Sequence, residues 1–209
     1  MNRADNLSRA TALARLALKF SRVERVTRHE DGIRPETDSD HTIMLSLVAC
    51  DLCPEGLDRG KVAMFCVVHD LLEADTGDIQ TLTIDAAGRE AKAAAEAVAM
   101  VRFTAKYGAG SWLMLTLSEY ERQDTPEARY VRVIDKVLPK LTHILNGCVA
   151  AKALTDEAGF YRSHNDQLGK LDRLHGGEFW AKEALDLLHD AMVVSENAWA
   201  AKSGEGAAK

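Results

Sequence analysis

An all-α bundle of about seven to nine helices is expected for this chain, from hydrophobic periodicity and the placing of helix breakers. Between breaks, apolar residues recur three and four positions apart and almost nothing alternates as a strand would. Pro and Gly fall in a few short segments, and several of the intervening runs begin at a capping residue. No internal repeat or long linker divides the 209 residues, so residues 1–201 are read as one domain and 202–209 as a frayed tail.

The first helix is placed at 5–26, where Leu7, Ala10, Leu13, Leu16, Leu18 and Phe20 alternate with basic residues in an amphipathic pattern. A loop over 27–38 contains Gly32, Pro35 and a dense set of Thr, Ser and Asp. Asp38 or Ser39 can cap a second helix over 41–53, broken by Cys53-Pro54-Glu55-Gly56. Asp58 can cap a third, running through Ala74. Its stretch VAMFCVVHDLLEA is apolar on nearly every side, which makes it central. An Ala-rich helix over 85–106 stops near Gly108-Ala109-Gly110, and another spans 111–122. Pro126 can open a long helix through Cys148, kinked at Pro139. One or two more helices complete the chain, the final one over 178–201.

A formal charge of −6, from 26 basic and 32 acidic residues, excludes a dedicated duplex nucleic-acid binder. No apolar run reaches the roughly 18 to 20 residues of a membrane span, and MNRADNLSRA is no signal peptide, so a cytoplasmic, membrane-free protein is expected. Cys50, Cys53, Cys66 and Cys148 are too few for a disulfide framework, and Cys50-x-x-Cys53 lacks a βαβ context, so both read as packed thiols. His143, His164, His175 and His189 show no ligand spacing. Trp112, Trp180 and Trp199 are expected to fill core or a subunit interface.

Charge intrudes where the third helix should be driest. His69 and Asp70 interrupt the apolar run Met64–Leu72 and Glu73 follows it directly, and a buried carboxylate is costly unless paired or bound to a cation. Spacings of three and four residues put the trio on one side of a helix. Asp135 interrupts RYVRVIDKVLPKL in the same way, and His41 opens the second helix after the acidic run ETDSD. One ion held by two imidazoles and two carboxylates would satisfy all of these, and mixed N/O ligation suits Mn, Fe, Co, Ni or Zn. Spacing alone equally allows a surface pair at His69-Asp70 and a salt bridge from Asp135 to Lys136 or Arg132.

The order His41, His69-Asp70, Asp135, with Glu73 and Gly77-Asp78, resembles the HD-domain metal-dependent phosphohydrolases. ETDSDH (36–41) followed by VVHDLLEADTGD (67–78) is similar to the branch containing the 5′-deoxynucleotidases, and the likeness spans roughly residues 20–145. The resemblance implies an HD-domain helical bundle around one divalent cation (Co, Mn, Fe, Ni, Zn or Mg) held by His41, His69, Asp70 and Asp135. It implies catalytic roles for Glu73 and Asp78 and a phosphate-binding arginine, Arg22, with Arg25 close behind. His29 and Lys136 are further substrate-binding candidates. Val23 stands where those nucleotidases carry Trp, and the loop TRHEDGIRPETD is longer than theirs. The activity implied is release of phosphate from a (deoxy)nucleoside 5′-monophosphate by metal-activated water. A dNTP triphosphohydrolase releasing tripolyphosphate and a non-catalytic nucleotide-sensing or interaction module are the alternatives. Such relatives are commonly dimers, so a homodimer or higher homo-oligomer is expected, with the Ala-rich helix near 90–100 as a possible interface.

Overall fold

Helix α1 (Arg3–Phe20) is shorter than expected, because the chain turns at 21–23 into a strand. Strands β1 (Glu24–Arg28) and β2 (Pro35–Thr37) pair antiparallel, with Glu24 opposite Thr37 and Arg28 opposite Pro35. The segment expected as a loop over 27–38 is thus largely a hairpin. β-branched Val26 and Thr27 favour extended backbone. At the tip Asp31 accepts from the amides of Ile33 and Arg34, and Gly32 takes φ +69. This computed structural model describes residues 3–201, and the tail expected over 202–209 lies outside the described residues.

Helix α2 (Asp38–Asp51) is capped by Thr37 rather than by Asp38 or Ser39. Thr37 is the last extended residue, and its hydroxyl and the Asp40 carboxylate exchange bonds with each other's backbone N–H in a capping box. Asp58 caps α3 (Arg59–Val68) by accepting from Gly60 and Lys61. The helix stops at Val68, six residues before the expected Ala74. From there the chain tightens into three-residue bonds, Leu71 to Val68 at 3.1 Å and Glu73 to Asp70 at 2.8 Å. A single turn, α4 (Glu73–Thr76), then ends at Gly77 with φ +75.

Helices α5 (Ala86–Tyr107) and α6 (Trp112–Arg122) follow, and Pro126 opens α7 (Pro126–Asn146) behind a Thr125 cap. Helix α7 ends at Gly147, and α8 (Val149–Leu154), α9 (Glu157–His175) and α10 (Ala181–Ala200) complete ten helical segments among the described residues. Apart from the single turn α4, nine helices remain among the described residues, within the expected seven to nine.

Helix α7 is the axis of the bundle, packing on α2, α3, α6 and α10. Its Val131, Val133, Ile134, Val137 and Leu138 are buried with Val62, Phe65, Cys66 and Val68 of α3. Trp180 stands edge-on to Tyr130 in this core, whereas Trp112 is half exposed. Trp199 stacks on Phe160 in a second cluster with Cys148. Cys50 and Cys53 are free thiols packed against the main core. No helix among the described residues is long and apolar enough to cross a membrane.

Candidate metal centre

Three segments far apart in sequence converge beside α7. His41 comes from the first turn of α2, His69 and Asp70 from the turn after α3, and Asp135 from the middle of α7. Each offers a ligand atom within 4.8 Å of the others, and His41, His69 and Asp135 are buried. His69 and Asp70 are adjacent and point to different sides of the turn, and the ion position lies on the edge that the two side chains share.

Hydrogen bonds fix both imidazoles. The His69 Nδ1–H donates to the Cys66 carbonyl at 2.8 Å in the last turn of α3, which points Nε2 into the cage, where its lone pair can take a cation or a proton. That Nε2 is buried and has no hydrogen-bond partner, although Asp70 Oδ2 lies 3.0 Å away. The ring is backed edge-on by Tyr120 of α6. His41 donates from Nδ1 to the buried Glu36 carboxylate at 2.9 Å and turns Nε2 toward Asp135 Oδ1 at 2.9 Å. Lys136 holds the other oxygen of Asp135 at 2.6 Å.

Two aligned imidazole nitrogens and two carboxylates fit a divalent cation of the Mn-to-Zn series, and the orphaned His69 Nε2 is the atom that asks for one. Charges within the cluster point the same way. Burial pulls the His69 imidazolium down, but Asp70 outweighs it and pushes the group up to about 9, so the acids favour a proton on Nε2 at the position a cation would take. Burial would raise Asp70 and Asp135, and His69 on the first and Lys136 with His41 on the second hold both well below the carboxylate range. The cage favours positive charge at its centre.

A second layer of charge adjoins the first. Arg25 of β1 sends Nη1 to Asp38 Oδ1 at 3.0 Å and Asp70 Oδ2 at 3.1 Å, with Glu73 Oε2 at 3.9 Å. Burial opposes its charge, and Asp70, Asp78, Asp135 and Glu73 more than restore it, so the guanidinium is permanently ionised. Glu73, buried in the first turn of α4, is pushed up to about 8 by burial and Asp70, against the pull of Lys92. Lys92 of α5 donates to its Oε1 at 2.9 Å.

Other expected residues fall at different distances from this centre. Asp78 lies half-buried just past Gly77, and its charge is felt at Arg25 and Glu73. Arg22 is exposed on the turn before β1, and Arg25 is the arginine that meets the acids. His29 is held within the hairpin, 3.2 Å from Asp40 and from Arg34. Glu36 and Lys92 were not expected at the site, and Asp38 was expected only as a helix cap. The E-x-x-x-x-H spacing was a signal for Glu36, whereas nothing around Lys92 in an Ala-rich helix distinguishes it.

The HD domain family matches this chain over residues 17–174. Among characterised proteins, the 5′-deoxynucleotidase HDDC2 of Danio rerio is 30% identical over 106 residues, covering 50% of this chain and 52% of that protein. HDDC2 of Homo sapiens is 29% identical over 133 residues, covering 59% of this chain and 64% of its own length. The chain thus spans about half to two thirds of these relatives. A crystal structure from Magnetospirillum magnetotacticum MS-1, described as a predicted metal-dependent phosphohydrolase, superposes with a TM-score of 0.66 at 20% identity, covering 91% of this chain and 97% of that one. A conserved hypothetical protein from Pyrococcus furiosus superposes with a TM-score of 0.56 at 22% identity, covering 86% and 99%. At these identities the superpositions speak for the fold.

Proposed function

Because this chain belongs to the HD domain family, we propose that it is a metal-dependent phosphohydrolase that releases phosphate from a nucleoside 5′-monophosphate, deoxynucleotides first among them. The observation that carries the proposal is the unpartnered His69 Nε2, buried among His41, Asp70 and Asp135. The likeness to 5′-deoxynucleotidases supports the choice of substrate.

In this reading His41, His69, Asp70 and Asp135 hold one divalent cation. Such a cation supplies Lewis-acid chemistry, acidifying water and offsetting charge on phosphoryl oxygens. Glu73 then orients the attacking water and takes its proton. A buried carboxylate poised near neutral pH can accept and return that proton, as general acid–base work requires. Lys92 holds one oxygen of Glu73 and leaves Oε2 without a partner, free for the water. Arg25 and Lys136, on either side of the cage, stabilise charge that builds on the phosphoryl oxygens. Asp78 serves the leaving oxygen. Arg22 and His29 are outer contacts in this reading, since one is exposed and the other is bonded to Asp40 of α2 and Arg34 of the hairpin.

The test is a product analysis of protein loaded with Mn²⁺, Co²⁺, Ni²⁺ or Zn²⁺ against ribo- and deoxynucleoside mono-, di- and triphosphates. Orthophosphate from monophosphates is expected. Tripolyphosphate from a dNTP would replace the monophosphatase reading with triphosphohydrolysis, and no release by a loaded sample would leave a sensing module.

A further inference from the structure

Beside the four-ligand cage the structure holds a second group of potential cation ligands, and a protein side chain already stands in it. Asp38, Asp70 and Glu73 each offer a carboxylate oxygen within 4.8 Å of the others. Asp38 is fully buried and Glu73 is 4% exposed. One oxygen of each, Asp38 Oδ2 and Glu73 Oε2, is buried without a hydrogen-bond partner. The unpartnered Glu73 oxygen faces Arg25 Nη1 at 3.9 Å, while Asp38 Oδ1 and Asp70 Oδ2 touch it at 3.0 and 3.1 Å. Asp70 belongs to both groups. A shared carboxylate between neighbouring ligand sets is how a site holds two ions about 3.5–4 Å apart.

We propose that Arg25 is a built-in substitute for a second divalent cation: it neutralises Asp38, Asp70 and Glu73, keeps the centre mononuclear, and its removal opens an oxygen-only site for a hard cation. The reasoning rests on the metal-centre reading above but not on the substrate. Buried carboxylates stripped of this guanidinium carry an uncompensated charge, and cation binding or protonation is the remedy. Three carboxylate oxygens without nitrogen or sulfur suit Mn²⁺ or Mg²⁺. Lys92 cannot fill the gap, because its ammonium sits on the opposite oxygen of Glu73, Oε1. A guanidinium also does what the second ion of a two-metal phosphohydrolase does, placing fixed positive charge where phosphoryl oxygens arrive, without a requirement for a second free metal.

The experiment measures Mn²⁺ per chain by elemental analysis after equilibration and desalting, with electron paramagnetic resonance to detect exchange-coupled pairs. The native chain is expected to hold one uncoupled ion. Arg25→Gln is expected to hold two, with a coupled spectrum, and Arg25→Gln combined with Asp38→Asn to return to one. Arg25→Met repeats the test with the side-chain volume kept; either neutral variant folding only with Mn²⁺, at two ions per chain, also supports the proposal. Arg25→Lys retains a positive charge and is expected at one. A neutral variant that stays at one ion, a Lys variant at two, or a native chain already at two would each overturn it. A native chain that holds none would instead remove the metal centre itself, and His69→Ala would then change nothing.

Discussion

Lys140 offers a measurable consequence of the way α7 is buried. It is 7% exposed, and its ammonium donates to Gln167 of α9, with no carboxylate bonded to it among the described residues. Burial, with Lys136 adding like charge, pushes its pKa down to about 7 from an ordinary 10.5. The folded chain therefore sheds this proton above about pH 7, whereas the unfolded chain keeps it until about 10.5. Between those values the unfolded state binds more protons, so unfolding free energy gains about 1.4 kcal/mol per pH unit as pH rises. Below pH 7 the folded state carries a buried charge, at a cost of several kcal/mol in the limit, on the order of 3.5 units at 1.4 each. The perturbation is Lys140→Met, which keeps the stem and removes the charge. Its loss leaves Gln167 short of a donor, at roughly 1–3 kcal/mol, so the net gain near neutral pH is about 1–3 kcal/mol. Urea unfolding at half-unit steps from pH 7 to 10 reads the difference directly. The advantage of the Met variant should fall by about 1.4 kcal/mol per unit as pH rises and change sign within this range, leaving the native chain the more stable near pH 10. Parallel profiles would show that the ammonium is solvated, and the argument from its burial would fail.

Glu73→Ala is expected to retain bound metal by elemental analysis while phosphate release falls by about 10²- to 10⁴-fold; an unchanged rate removes Glu73 from the proton path. Asp70→Ala should lose the metal after desalting while keeping its helical circular dichroism, and full loading would contradict its place in the cage. Thr37→Ala deletes the cap of α2 directly before His41, and thermal denaturation should show a loss of about 0.5–2 kcal/mol.

Local chemistry was legible where it acts over a few residues. Asp58 and Pro126 open their helices as expected because a cap or an N1 proline depends only on the next turn of backbone. The missed hairpin has the opposite character. Its paired strands lie on either side of a turn made by Asp31 and Gly32, and five residues at Glu24–Arg28 are too few to show a period against the amphipathic run before them.

Read along the chain, His69, Asp70 and Asp135 interrupt apolar segments and His41 opens a helix, in the order of one family's motif. Helical periodicity likewise set the all-α architecture. The packed fold shows that α3 stops at Val68 and that His69 bonds the Cys66 carbonyl and points Nε2 inward. It also shows that Arg25, not Arg22, joins the acids, and that Lys92 reaches Glu73 from a helix nineteen residues on. Hydrophobic period and capping are short-range and can be read along a chain. The pairing of buried charges is set by distance through a low-dielectric interior, and that distance exists only once the helices have packed.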